Sequence, residues 1–316
     1  MEISITKTTT PKQKPADESK LGFGQYYTDH MFIMNYDEGE GWHNQESSLT
    51  ARLNLILPLW YFTMSQEIFE GMKAYRTADG SIQLFRPDKN MARMNVSCDR
   101  LCIPKIDEEF AIKAIRTLVE VDKDWVPSLD GTSLYIRPYI FATDAQVGVH
   151  PAKHLTFAII LSPVGAYYPQ GIAPVKIFVE QKYVRAVIGG TGFTKAGANY
   201  AISLKGQEEA AEQGYVQTLW LDGVERKYVE EVGSMNVFFK IDGEVVTPAL
   251  VGSILGGITR MSIIELLQSK GYKFQNVVFQ SMNLLRHSKQ VSLKRLGVQV
   301  LPLLFHLSAN LSTVTL

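Results

Sequence analysis

Apolar residues of Pro87–Leu101 fall at Met91, Met94, Cys98 and Leu101, a spacing of three and four that lays one stripe along a helix. Glu108–Val121 shows the same amphipathic pattern, and Ile258–Ser269 and the Ala/Glu/Lys-rich Asn199–Glu212 add two more predicted helices. Alternation or short apolar runs predict strands over Ser81–Arg86, Ser133–Thr143, Leu155–Val164, Val175–Val179 and Val216–Leu221. Val237–Val246 reads as a hairpin turned at Asp242-Gly243. Strands outnumber helices in a mixed order, which predicts an α+β chain of two domains. The break "GAYYPQG", Gly165–Gly171, marks the joint. The expected divisions are a loose tail over 1–20, a small domain over 21–164, an interdomain loop over 165–173 and a larger domain over 174–316.

One stretch breaks the pattern. Leu53–Phe62 is apolar without a period and contains Pro58. It is half as long as the roughly 20 apolar residues that a membrane helix needs, so it is not a span.

Composition narrows the partners. The chain has 316 residues, enough for two packed cores, and 32 Lys+Arg balance 32 Asp+Glu. Without a polyelectrolyte face, small molecules or protein contacts are better candidate partners than nucleic acid or a membrane. Met1–Lys20 lacks the apolar core of a signal peptide. Cys98 and Cys102 stand four apart without a Cys-x-x-Cys motif, which reads as two small buried hydrophobes on one helical face. The six histidines show no ligand spacing along the chain. The expectation is a reduced, cytoplasmic, metal-free protein.

Three segments carry candidate chemistry. In "GGTGFTKAGANY", Gly189–Tyr200, glycines and small residues surround Lys195, a setting that suits a Schiff-base lysine as well as a plain glycine turn. "GSILGGITR", Gly252–Arg260, opens a helix whose free N–H groups form an anion site. "YVEEVGSMN", Tyr228–Asn236, offers carboxylates in a strand-turn. A lysine, a carboxylate and a phosphate cup are the parts that hold pyridoxal phosphate, the carboxylate keeping the pyridine nitrogen protonated.

With these segments, "QEIFEGMKAYRT", "LFRPDKNMARM", "DKDWVPSLDGTSLYIRP", "ILSPVGAYYPQGI", "LWLDG" and "EEVGSMNVFF" make the chain resemble the branched-chain amino acid aminotransferases of the fold-type IV pyridoxal-phosphate family. The resemblance implies a small α/β domain, a larger domain with a β-barrel-like core, and a homodimer. It also implies that Lys195 carries the cofactor, that Tyr200 faces its ring hydroxyl and Glu231 its pyridine nitrogen, and that Arg93, Ile258 and Thr259 hold its phosphate. Tyr135 and Arg137 would recognise substrate across the dimer, the arginine holding the side-chain carboxylate of glutamate. Phe69 and Tyr167 would pack on the apolar chains of Leu, Ile and Val.

The likeness lapses in two places. Ahead of "QEIFEG" the family has a segment ending Met-Val-Phe-His-Tyr, and reading the codons one base earlier recovers it from Leu59–Met64. The same shift turns Val278–Leu284 into Ile-Ser-Ile-Asp-Glu-Leu and Gly297–Leu311 into Gly-Thr-Gly-Thr-Ala-Ala-Val-Ile-Ser-Pro-Val-Gly-Glu-Leu. Residues near 45–64 and 278–316 are therefore expected to be out of frame, with an incomplete C-terminus. Met64 would stand where the family has a tyrosine for the substrate α-carboxylate. The implied function is transamination of L-leucine, L-isoleucine and L-valine with 2-oxoglutarate. An inactive or misfolded remnant of such an enzyme is a second reading, and a D-amino acid transaminase or aminodeoxychorismate lyase of the same fold is a third.

Overall fold

A computed structural model of the chain describes residues 2–49, 64–165, 175–241, 243–281, 293–300 and 303–307. It divides into two compact units, Met1–Pro169 and Gln170–Leu316.

The first unit is built on an eight-stranded sheet of β1 (Ser4–Ile5), β2 (His30–Asp37), β3 (Gly41–Leu49), β4 (Glu67–Phe69), β5 (Met72–Arg76), β6 (Ile82–Leu84), β7 (Ser133–Ala142) and β8 (His154–Val164). The order is β1-β3-β2-β8-β7-β5-β6, with β4 also on β7. Helices α1 (Pro87–Arg100) and α2 (Glu108–Val121) follow β6. Their apolar stripes bury Met91, Met94, Ile115 and Leu118 completely, and Phe32 of β2 meets Phe110 of α2 and Phe157 of β8 at ring-centroid distances of 6.3 and 5.9 Å. Pro87 at the first helical position of α1 and Asp107 capping α2, whose carboxylate accepts from the Phe110 N–H at 2.9 Å, set the helix starts.

Both β4 and β5 lie along the same side of β7, pairing at Glu67–Phe69 and Met72–Ala74. The interruption falls opposite Pro138, which accepts from the Glu70 N–H at 2.7 Å but has no N–H to return the bond. Glu70 is thereby turned beneath α1, fully buried. Arg93 forks onto it through Nε and Nη2, both at 2.8 Å, and Asn90 adds a third bond at 2.8 Å.

One expectation needs correction here. Cys102 does not share the buried face of Cys98. The Ile103 N–H closes back on the Cys98 carbonyl at 2.9 Å and Cys102 takes φ 53°, so the helix ends in a left-handed turn that throws Cys102 into solvent. The N-terminal residues 2–20 carry contacts of their own. β1 pairs with β3, Lys12 Nζ donates to the Thr28 carbonyl at 2.7 Å, and the Glu18 carboxylate accepts from the Ser128 and Leu129 N–H groups.

The second unit contains a three-stranded sheet, β11-β10-β9, of β9 (Ile177–Val179), β10 (Gln217–Leu221) and β11 (Val229–Val232). A five-stranded sheet, β14-β13-β12-β15-β16, joins β12 (Asn236–Ile241), β13 (Glu244–Pro248), β14 (Phe274–Val277), β15 (Leu293–Val300) and β16 (Leu303–Leu307). The helix expected over Asn199–Glu212 is two, α3 (Ala198–Ala201) and α4 (Leu204–Glu212), with the Ser203 hydroxyl bonded back to the Tyr200 carbonyl at the break. Helix α5 spans Ile258–Ser269, the bounds its periodicity predicts. The stretches read as out of frame, 45–64 and 278–316, fall largely outside the described residues.

The buried Arg93–Glu70 fork is tested by Glu70→Ala. Stranding the guanidinium costs about 3–5 kcal/mol, read as a lower denaturation midpoint in urea; a midpoint within experimental error of the parent contradicts this account.

Candidate active site

In the second unit the loop 189–197 is held from within. Asn199 Nδ2 donates to the Thr191 and Thr194 carbonyls at 2.9 and 3.0 Å. Gly192 lies so close to the Ser253 carbonyl that a Cβ would approach it to 2.3 Å, which explains the glycine. The loop delivers Lys195, 6% exposed, and α3 brings Tyr200 to it: Lys195 Nζ donates to Tyr200 Oη at 2.7 Å.

Glu231 comes from β11, where the register with β10 shifts between Leu219 and Leu221. Such an irregularity re-aims side chains. Its carboxylate is gripped by Arg185 Nη2 at 2.6 Å and by Asn236 Nδ2 at 2.9 Å. Asn236 also accepts from the Gly257 N–H at 3.1 Å, joining the carboxylate to the start of α5. No side chain caps that helix, so the Ile258 and Thr259 N–H groups open its first turn as anion donors. Buried Arg260, bonded to the Pro248 carbonyl and to Asn276 Oδ1, holds the turn in place. A cavity of about 320 Å³, counting space open to solvent, is lined by Arg185, Gly192, Thr194, Tyr200, Glu231 and Leu255 among others.

The remaining predicted residues belong to the first unit. Tyr135 and Arg137, two apart on β7, face the same way. Arg137 donates to Tyr135 Oη at 2.9 Å through Nη2 and lies over the Phe69 ring at 4.5 Å. A Cβ on Gly71 would meet Tyr135 Oη at 2.2 Å, so glycine is required beside the tyrosine. Arg93, which the resemblance placed on the phosphate, directs its Nε and Nη2 edge to Glu70. Tyr167 lies outside the described residues.

Sequence reasoning missed Arg185, Asn236 and Lys73. Lys73 is 4% exposed and stands opposite Tyr135 in the β5–β7 register, and burial lowers its pKa to about 8. Its place could have been found only by pairing "EGMKAYR" with "SLYIRP" across the sheet. The histidines also group more than their spacing shows: Asp37, Glu40 and His43 offer atoms within 4.8 Å of one another, Asp37 being held by His43 and by His154.

A lysine amine bonded to a phenol, a carboxylate and an open helix start joined to that carboxylate by Asn236 are the parts of a pyridoxal-phosphate enzyme. Comparison with known proteins agrees. Residues 67–291 match the family model described as amino-transferase class IV. Branched-chain-amino-acid transaminase 1 of Bacillus subtilis is 56% identical over 270 residues, covering 85% of this chain and 76% of that protein. Branched-chain-amino-acid aminotransferase 2 of the same organism is 53% identical over 269 residues, covering 85% and 74%. Among solved structures, the branched-chain amino acid aminotransferase of Escherichia coli superposes with a TM-score of 0.72 at 22% identity, over 89% of this chain and 85% of that one. The branched-chain amino acid aminotransferase of Thermobaculum terrenum in PLP-form (holo-form) gives 0.69 at 18%, over 90% and 86%. The chain belongs to the class IV aminotransferase family, with its fold-type IV architecture. It is an enzyme of that family, and its cofactor is pyridoxal phosphate. The donor set fits that cofactor: Lys195 is an amine for an aldehyde, Tyr200 and Glu231 could face a ring hydroxyl and a ring nitrogen, and the α5 start could take a phosphate. Among the described residues no helix is long and apolar enough to cross a membrane.

Gly257 tests the joint between carboxylate and helix. A Cβ there would meet Asn236 Oδ1 at 2.1 Å. Gly257→Ala displaces Asn236 from Glu231 and weakens cofactor retention about tenfold, the cost of ~1–3 kcal/mol for an unmade buried hydrogen bond. Dialysis against cofactor-free buffer measures it, and unchanged retention refutes the coupling.

Proposed function

We propose that the enzyme moves amino groups between L-leucine, L-isoleucine or L-valine and 2-oxoglutarate, giving the branched-chain 2-oxo acids and L-glutamate, as a homodimer in the cytoplasm. The names of the relatives supply the substrate class. The observation that carries the reading is the group formed by Phe69, Tyr135 and Arg137: apolar rings around one cation. A site that takes both an aliphatic side chain and glutamate needs both features, because an unpaired carboxylate cannot be buried on apolar surface alone.

When bound, the cofactor provides an electron sink that makes loss of the substrate α-proton feasible. Lys195 Nζ, steered by the Tyr200 hydroxyl, takes that proton from the α-carbon and returns it on the far side of the exchange. Glu231, fixed by Arg185 and Asn236, holds the proton of the ring nitrogen. The Ile258 and Thr259 N–H groups receive the phosphate. Arg93, which the resemblance places on the phosphate, has its Nε and Nη2 edge on Glu70. Arg137 takes the glutamate side-chain carboxylate while Phe69 and Tyr167 pack on the aliphatic chains.

A second reading, an inactive remnant, has one observation behind it. The family match opens at residue 67, just past the first stretch read as out of frame. Resequencing the coding DNA separates the two: an uninterrupted frame with turnover removes the remnant reading, and a shifted frame without turnover establishes it.

Lys195→Ala is expected to abolish the borohydride-trappable visible absorbance and all turnover; a variant that keeps either contradicts the assignment of the lysine. Arg137→Gln should raise the KM for glutamate by about tenfold or more, as expected for a lost charged hydrogen bond of ~1.5–3 kcal/mol, and alter that for leucine much less. Equal changes for both substrates would remove Arg137 from the recognition of glutamate.

A further inference from the structure

Next to Glu231 lies a second carboxylate for which the mechanism has no use. Glu230 is 5% exposed, and its Oε1 accepts from the Ser253 hydroxyl. The Ser253 carbonyl accepts from Arg185 Nη2 at 2.7 Å, and the same nitrogen holds Glu231 at 2.6 Å. Glu230, Ser253, Arg185 and Glu231 thus form one buried chain. Among the described residues, two of its atoms find no hydrogen-bond partner: Oε2 of Glu230 and Nε of Arg185. One is the free end of an acid and the other a donor on the cation that serves Glu231.

We propose that Glu230 is a positioning residue for the amino-group exchange: acting through Ser253 and Arg185, its carboxyl sets how much of the Arg185 charge Glu231 keeps, and so how firmly Glu231 holds the proton of the cofactor ring nitrogen. This rests on the placement of Glu231 against that nitrogen. While Glu230 carries a proton, the group of Arg185, Glu231 and Glu230 is neutral and Arg185 serves Glu231 alone. Once the proton leaves, Glu230 draws on Arg185, and the added negative charge favours positive charge on the cofactor. The charged groups acting on Glu230 are Arg185 from the segment after β9, its neighbour Glu231 on β11, and Asp222 just beyond β10. Burial pushes the Glu230 carboxyl up to about 7, Glu231 and Asp222 adding to the rise while the Ser253 hydroxyl and Arg185 oppose it. The proton is therefore exchanged near neutrality. Because the folded chain holds it up to about 7 and the unfolded chain releases it near 4.5, folding binds a proton between those values and stability declines as pH rises through them.

The test compares parent, Glu230→Gln, Glu230→Asp, Ser253→Ala and Glu231→Gln holoenzymes between pH 5 and 9. The pH titration of the bound cofactor's visible absorbance should have a lower midpoint in Glu230→Gln than in the parent. The shift should be on the order of one pH unit, as for a unit charge roughly 10 Å away in a medium of effective dielectric about 20. Glu230→Asp should retain most of the parent's midpoint. Thermal melting of the cofactor-free proteins should show Glu230→Gln gaining on the parent from pH 5 to pH 7.5 and holding that gain above, with the Ser253→Ala melting profile breaking at higher pH than the parent. A Glu230→Gln absorbance titration that overlays the parent's overturns the proposal if Glu231→Gln alters the spectrum. If Glu231→Gln also leaves the spectrum unchanged, the placement of Glu231 itself fails, and the proposal with it.

Discussion

Burying a lysine, a guanidinium and two carboxylates inside a unit of fewer than 150 residues is the constraint that organises the site. Isolated charges do not survive in such surroundings, so each must find a partner or give up its charge. Lys195 leans on Tyr200, Glu231 is held by Arg185 and Asn236, and Glu230, left with Ser253, keeps a proton to about 7. Asn236 then carries the arrangement to Gly257 and the opening of α5. The Glu231 carboxylate and the start of α5 are therefore fixed by the same side chain.

The first unit solves a related problem around Pro138. A proline within β7 breaks the ladder between β4 and β5, and the chain uses the break to send Glu70 under α1. On the adjoining strands Tyr135, Arg137 and Phe69 assemble their cation and rings, with Gly71 leaving room for the tyrosine hydroxyl. The segment "FEGMKAYR" thus serves the fold at Glu70, the close approach at Gly71 and the buried amine at Lys73 within four residues.

Much of this was legible along the chain. The periodicity over 108–121 and 258–269 marked α2 and α5 to the residue, because amphipathic stripes on isolated helices depend only on local spacing. Lys195 stood out because glycine-rich surroundings are themselves a local signal, whereas Tyr200 and Glu231 were singled out only by the resemblance of their motifs. Arg185, Asn236 and Lys73 gave no such signal; their importance arises from burial and from strands or loops brought together in space. Cys102 misled for the opposite reason. Its spacing from Cys98 is helical, but the helix had already ended in a left-handed turn. Composition also does not reveal that Lys12 and Glu18 find backbone partners in the sheet unit.

Relatives at 53–56% identity and the site geometry converge on an amino-group transfer that needs a second substrate only to complete the cycle. The most direct measurement is a single half-reaction: cofactor-loaded enzyme mixed with L-leucine and no 2-oxo acid, with released product quantified against enzyme. The account predicts close to one equivalent of the branched-chain 2-oxo acid per chain, with loss of the cofactor's visible absorbance. Intact cofactor loading on Lys195 with no 2-oxo acid released would contradict it.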